Sequence, residues 1–280
     1  MFIRKYWKPL ISVFLVAIAG ISLYSYSKSE TPLAKAEKLI LSEKYYEAVL
    51  ALEPLLTSGE KSEAQEQALW LAHQLGEKVA EKIENEYFAM PILPEELESK
   101  RWDKVAFRAA FKSIKQFNKL GAGIGYSEPG DSFYYGDGFL QRLIDRYPES
   151  SKRGVAEYYL IFDGLNIPRQ ENLSLTLSAL QAYIETYEKT GRIEVYKAYL
   201  DLTHSHHGLW AVQTFDNPGC AMAAWLDPED DPKSAEAHKA EAEKYYLKYH
   251  INPHGLPEDE GYERLKNEEE FGWDYIVYGC

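Results

Sequence analysis

Residues 140–160, LQRLIDRYPESSKRGVAEYYL, align without a gap on residues 180–200, LQAYIETYEKTGRIEVYKAYL, at an offset of 40. Leu140/Leu180, Gln141/Gln181, Ile144/Ile184, Tyr147/Tyr187, Val155/Val195, Tyr159/Tyr199 and Leu160/Leu200 are identical, seven of 21 positions and well above chance for unrelated helices. The matched unit reads as a helix, a short turn and the start of a second helix. Such a unit cannot bury its apolar stripe alone, so copies must stack and share a core. Val155/Val195, Tyr159/Tyr199 and Leu160/Leu200 are then expected at equivalent buried positions.

From Thr31 onward, apolar residues recur at i, i+3, i+4 and i+7, with few alternating β-branched runs. Helices are expected near 32–42, 45–57, 61–87, 95–119, 136–147, 152–165, 173–188, 192–213, 233–249 and 258–270. The breaks between them fall on Pro, Gly and Asn clusters such as Ser58-Gly59, Pro148 and Asn217-Pro218-Gly219. The fold class is therefore all-α. Residues 28–280 form one helical body, with halves at 28–120 and 139–280 joined by the Gly-rich stretch GAGIGYSEPGDSFYYGDG, residues 121–138. No strand precedes that stretch and no Lys-Ser/Thr follows it, so a phosphate loop is not expected. It reads as an ordered connector whose Tyr126, Phe133, Tyr134 and Tyr135 pack on neighbouring helices, and its length makes it a candidate binding loop.

Residues 36–55, AEKLILSEKYYEAVLALEPL, resemble a tetratricopeptide repeat. Ala36 and Leu39 stand at the contacts of its first helix, Tyr45 follows the turn, and Ala48 is the close-approach position of the second, continued by Leu52 and Leu55. Tyr147-Pro148-Glu149-Ser150 before Ala156-Glu157-Tyr158-Tyr159 is similar to junctions in periplasmic tetratricopeptide proteins of envelope assembly, and Lys244–Tyr249 resembles a further second helix. The chain departs from that pattern in its repeat length, 40 instead of 34, in the absence of Gly before Tyr45, and in the absence of Pro closing the first repeat. The resemblance implies a TPR-like α-solenoid of stacked helical hairpins, with no chemistry attached.

The first 27 residues carry Arg4, Lys5 and Lys8 and no acid, followed by the apolar run LISVFLVAIAGISLY at 10–24. Basic, apolar and polar segments in that order form a signal anchor or signal peptide. The run is close to the ~20 residues that cross a bilayer, whereas Ala17-Ile18-Ala19 before Gly20 matches a cleavage site, so both fates stay open. One N-terminal membrane-targeting helix thus precedes the body, anchored in the inner membrane through residues 10–26 if uncleaved. The basic flank places the body outside the cytoplasm, in the periplasm of a bacterial envelope. Cys220 and Cys280, an even pair in an oxidising compartment, are candidates for one disulfide.

Lys and Arg number 31 against 44 Asp and Glu, a net charge of −13. Phosphate binding needs clustered basic charge, so nucleic acid and anionic head groups are not expected partners of the body. Asp201, His204 and His207, at i, i+3 and i+6 of one helix, lie roughly on one face as candidate metal ligands. Lacking an HExxH or paired-Cys spacing, they read more simply as residues at a helix end or on a solvated face, packing against the nearby Trp210. The runs Glu229–Asp231 and Glu268–Glu270 read as solvated surface. The expectation is a non-catalytic binding or scaffold protein, without cofactor, that engages a protein partner through a helical-repeat groove. Candidate contacts are Tyr134, Tyr135 and Trp210, in the segments that differ most between repeat copies. The alternative is an envelope hydrolase, metal-dependent through the Asp201/His204/His207 cluster.

Overall fold

The computed structural model describes residues 30–91, 100–101, 104–128, 132–163, 173–214 and 233–269. The N-terminal apolar run, Cys220 and Cys280 lie outside them, and no helix among the described residues is long and apolar enough to cross a membrane. The described chain is helical apart from one two-stranded hairpin. It divides into two compact units, residues 1–79 and 80–280.

In the first unit, α1 (Pro32–Ile40) starts behind Thr31, whose Oγ1 accepts the Ala34 N–H at 3.2 Å, with Pro32 at the position where a missing N–H is harmless. It packs against α2 (Tyr45–Ala51), and Ala36 and Ala48 are fully buried, small residues that let the two backbones approach. The single helix expected over 45–57 is broken. A short α3 (Glu53–Leu56) follows α2 because Pro54 offers no N–H and its ring crowds the preceding turn. Helix α4 (Glu63–Ala89) runs across the boundary between the units. Gln65, fully buried near its start, donates to the Leu55 and Ser58 carbonyls at 2.9 and 2.8 Å and so satisfies the open end of α3.

The second unit begins with the end of α4 and continues with α5 (Val105–Leu120), which buries Phe107, Ala110, Ile114, Phe117 and Leu120 on one side and ends at Gly121 in the left-handed region, φ 94°. The expected connector is in fact a hairpin, β1 (Ile124–Ser127) paired antiparallel with β2 (Ser132–Tyr135). The Asn118 side chain behaves as an extra strand residue, donating to the Ile124 carbonyl at 2.8 Å and accepting its N–H at 2.7 Å. The pairs Ile124/Tyr135 and Tyr126/Phe133 share one face of the hairpin, and Gly125/Tyr134 the other. The Tyr134 ring lies over Gly125, where a Cβ would come within 2.4 Å of it.

Helix α6 (Gly138–Arg146) follows directly. Its first residue donates its N–H to the Ala122 carbonyl at 3.1 Å, and a Cβ there would sit 2.3 Å from the Gly121 carbonyl oxygen. Neither backbone can yield without losing the hairpin's hydrogen bonds. Gly138→Ala is therefore expected to destabilise the protein by about 2–3 kcal/mol, read as a lower urea midpoint. An unchanged midpoint would mean that this junction yields to the added methyl group.

Beyond α6 come α7 (Arg153–Asp163), α8 (Leu173–Tyr187), a 3₁₀ turn (Glu188–Thr190), α9 (Ile193–Thr214), α10 (Ala235–His250) and α11 (Gly261–Lys266). Helices α7 and α9 start 40 residues apart, and Leu140 and Leu180 are both fully buried. Of the pairs expected at equivalent buried positions, Val195 is buried but Val155 only half-buried, and Leu160 and Leu200 are both half-buried. The second half of the repeat diverges. Tyr199 is 3% exposed but Tyr159 is 36% exposed, and the ring that α7 turns inward is Tyr158, whose hydroxyl donates to Asp201 Oδ2 at 2.7 Å. The cause is that α9 packs along α10 as well as α8, and Tyr245 of α10 stacks on Tyr199 at 6.2 Å between centroids. Tyrosine hydroxyls tie the hairpins together: Tyr183 donates to the Gly154 carbonyl at 2.9 Å inside the core, and Tyr187 to Glu157 at 2.6 Å nearer the surface.

Candidate functional site

Helix α5 and strand β1 open between them a cleft of about 540 Å³, lined by Phe107, Arg108, Phe111, Tyr126 and Glu128. Phe107 and Phe111, one helical turn apart, fall on the same side of α5 and stack with centroids 4.5 Å apart. Tyr126, on the hairpin face that carries Phe133, meets Phe107 edge-on at 5.1 Å and Phe111 at 6.3 Å. Phe107 forms the buried floor, Phe111 and Tyr126 are half-buried walls, and Arg108 and Glu128 stand exposed on opposite rims. Tyr126 is held in place by Arg101, which donates to its hydroxyl and lies over its ring. From behind, the Tyr87 ring packs on Phe107 and Phe133. Among the described residues the lining contains no Ser, Thr, Cys, Lys or His; what it offers is three ring faces for an apolar or aromatic group, with one cation beside them.

A second cluster of ionisable residues lies in the core between α9 and α10. His204, His206 and His207 on α9 and His238 on α10 are all buried. His206 Nδ1 and His238 Nδ1 are 3.0 Å apart, so one ring donates its proton to the other, and His206 stacks flat on Tyr245 at 5.9 Å. Burial, then the neighbouring His238, lowers the His206 pKa to about 3. Burial lowers His207 to about 4, even though its Nε2 donates to the Glu269 carbonyl at 3.1 Å. His204 Nε2 pairs with Asp259 Oδ2 at 2.9 Å. Burial pushes the Asp259 carboxyl up, but the hydrogen bond and charge of His204 outweigh it and hold the group below its ordinary value.

These contacts separate the three candidate metal ligands. Asp201 accepts from Tyr158, His204 turns to Asp259 and His207 to the Glu269 backbone. Among the described residues no group of three or more His, Cys, Asp or Glu side chains is placed to hold a metal ion. The geometry of the helix explains it: at 100° per residue, positions i and i+6 point about 120° apart, too far to converge on one ion.

Of the three candidate contact residues, Tyr134 is at the surface, 44% exposed, on the hairpin face away from the cleft. Tyr135 and Trp210 belong to the core. Tyr135, 3% exposed, shares the inward hairpin face with Ile124 and packs near Phe139. Trp210, 2% exposed, lies against His207 and Ala242, with Lys239 Nζ over its ring at 5.4 Å. Phe107, Arg108 and Phe111 were not singled out by sequence reasoning. A Phe pair at i, i+4 beside Arg108 is the trace that points to them.

No family model, curated protein or solved structure matches the chain.

Proposed function

We propose that the chain is a non-catalytic, TPR-like binding protein of the bacterial envelope, and that the Phe107–Phe111–Tyr126 cleft takes an apolar side chain of a protein partner. The observation that carries this reading is a solvent-open cleft walled by three aromatic rings. Rigid rings in a preformed pocket supply contact area at little entropic cost, which suits side-chain capture. Helical hairpins with a 40-residue step, α6–α7 and α8–α9, support the solenoid reading. The basic flank and apolar run at the N-terminus support an inner-membrane anchor through residues 10–26, or secretion after cleavage, with the body in the periplasm. That Asp201, His204 and His207 each turn to a different partner favours the binding reading over the hydrolase alternative.

The test is site-specific photocrosslinking in cells, with benzoylphenylalanine in place of Phe111 and, as a control, in place of the exposed Leu247 on α10. A discrete adduct from position 111 and none from 247 is the expected result. No adduct at 111, or the same products from both positions, would overturn the docking reading.

A further inference from the structure

The net charge of the chain conceals a segregated basic face. Lys104, Arg108, Lys112, Lys115 and Lys119 follow one another along α5 and its N-cap at steps of four, four, three and four residues. At 100° per residue these steps keep all five within an arc of about 80°, a stripe about 22 Å long at 1.5 Å per residue. The last four are exposed and Lys104 is half-buried. Helix α5 contains no Asp or Glu, and none of the five cations has an ion-pair partner among the described residues. What sets α5 apart is that five such cations share one face, whereas on α10 and α11 Lys239, Lys244, Lys248 and Lys266 pair with Glu268, Glu241, Glu188 and Glu263. Clustered basic charge, which the overall composition argued against, is thus present on one helix face.

The stripe and the cleft adjoin. On the same helical projection Phe111 lies about 20° from the edge of the stripe, and Arg108 belongs to both. We infer that the partner docks as an acidic segment, its carboxylates along the α5 stripe and an apolar or aromatic residue in the cleft; this rests on the cleft being a docking site. An extended chain covers the stripe with about six or seven residues at 3.3–3.6 Å each. Glu128 on the far rim repels carboxylates there, so the acidic residues lie on the α5 side of the anchoring side chain. An anionic bilayer fits less well. The apolar element beside the stripe is concave, and α5 spends its apolar face on its own core, leaving no protruding face to insert.

The test is fluorescence anisotropy on the full chain in detergent micelles, with a labelled peptide carrying a central Phe flanked by Asp and Glu. Expected is one-to-one binding that weakens at least tenfold in K112E/K115E/K119E, at least tenfold when the peptide's Phe becomes Ser, and steeply with added salt. K112Q/K115Q/K119Q should fall between, which keeps the test sound if the reversed variant folds poorly. Equal binding by all three proteins, or none by the natural chain, overturns the inference. So does a preference for phosphatidylglycerol over phosphatidylcholine vesicles that the Glu variant loses while no protein binds the peptide. A crosslink from position 111 without peptide binding would overturn this assignment alone and leave the cleft as a docking site. Loss of both would remove the two together.

Discussion

Lowering the pH from 8 to 5 should cost the protein roughly 4 kcal/mol of folding stability, because two imidazoles in the α9–α10 core resist protonation. The His206 and His207 pKa values, about 3 and about 4 in the folded chain, are both lowered chiefly by burial. In the unfolded chain each ring returns to about 6.5. Below that pH the unfolded state takes up protons that the folded state refuses, so stability falls as the pH drops through 6.5 and keeps falling until the folded values are reached. Each group contributes about 1.4 kcal/mol per pH unit, or about 2 kcal/mol at pH 5, and the two together remove a large share of a typical 5–15 kcal/mol. The surroundings of His206 reinforce this balance. His238, Lys233 and Lys244 oppose a charge on it, and only Glu241 favours one. Urea midpoints measured between pH 8 and 5 would reveal the slope. His207→Gln, which keeps a donor for the Glu269 carbonyl, should reduce the slope by about half. A flat profile would show that water reaches these rings and that the core is not closed around them.

The helices are largely legible in the sequence because their signals are local. Pro148 and Gly191 mark the breaks before α7 and α9, and the apolar period places both starts. The split between α2 and α3 at Pro54 is a local effect of the same kind. The hairpin is not legible, since each strand is four residues long, Gly125 interrupts the first, and the edge of Ile124 is satisfied by the Asn118 amide rather than by another strand. The histidine cluster is visible as residues but not as contacts. Its partners, His238, Asp259 and Glu269, come from 32 to 62 positions further along, and no spacing rule reaches that far. The cleft is half legible: Phe107 and Phe111 pattern as core, and their opening to solvent depends on where β1 ends. Composition misleads most at α5, where an average over 280 residues conceals one basic face.

Trp210 separates a core residue from a contact residue, and Trp210→Ala should destabilise the protein by about 4 kcal/mol, within the range for deleting a buried aromatic ring. The ring is 2% exposed in a cluster with Ala211, Ala242 and Leu265. Two of those neighbours are alanines on helices already in contact, too short to fill the space the ring leaves, so much of the cavity stays open. The cation over the ring and the His207 contact are lost as well. At 2–4 °C per kcal/mol for a protein of this size, the melting temperature should fall by about 10 °C. Tyr134→Ala provides the contrast. Its ring is 44% exposed and lies over the backbone of Gly125 and beside Gly136, so the expected cost is under about 1 kcal/mol. Circular dichroism melts of the two variants decide the matter. A large shift for Trp210 means that any binding defect in that variant follows from unfolding, and that partner contact must be sought at surface residues such as Phe111 and Arg108. A small shift would return Trp210 to the surface and place the α9–α10 packing in error.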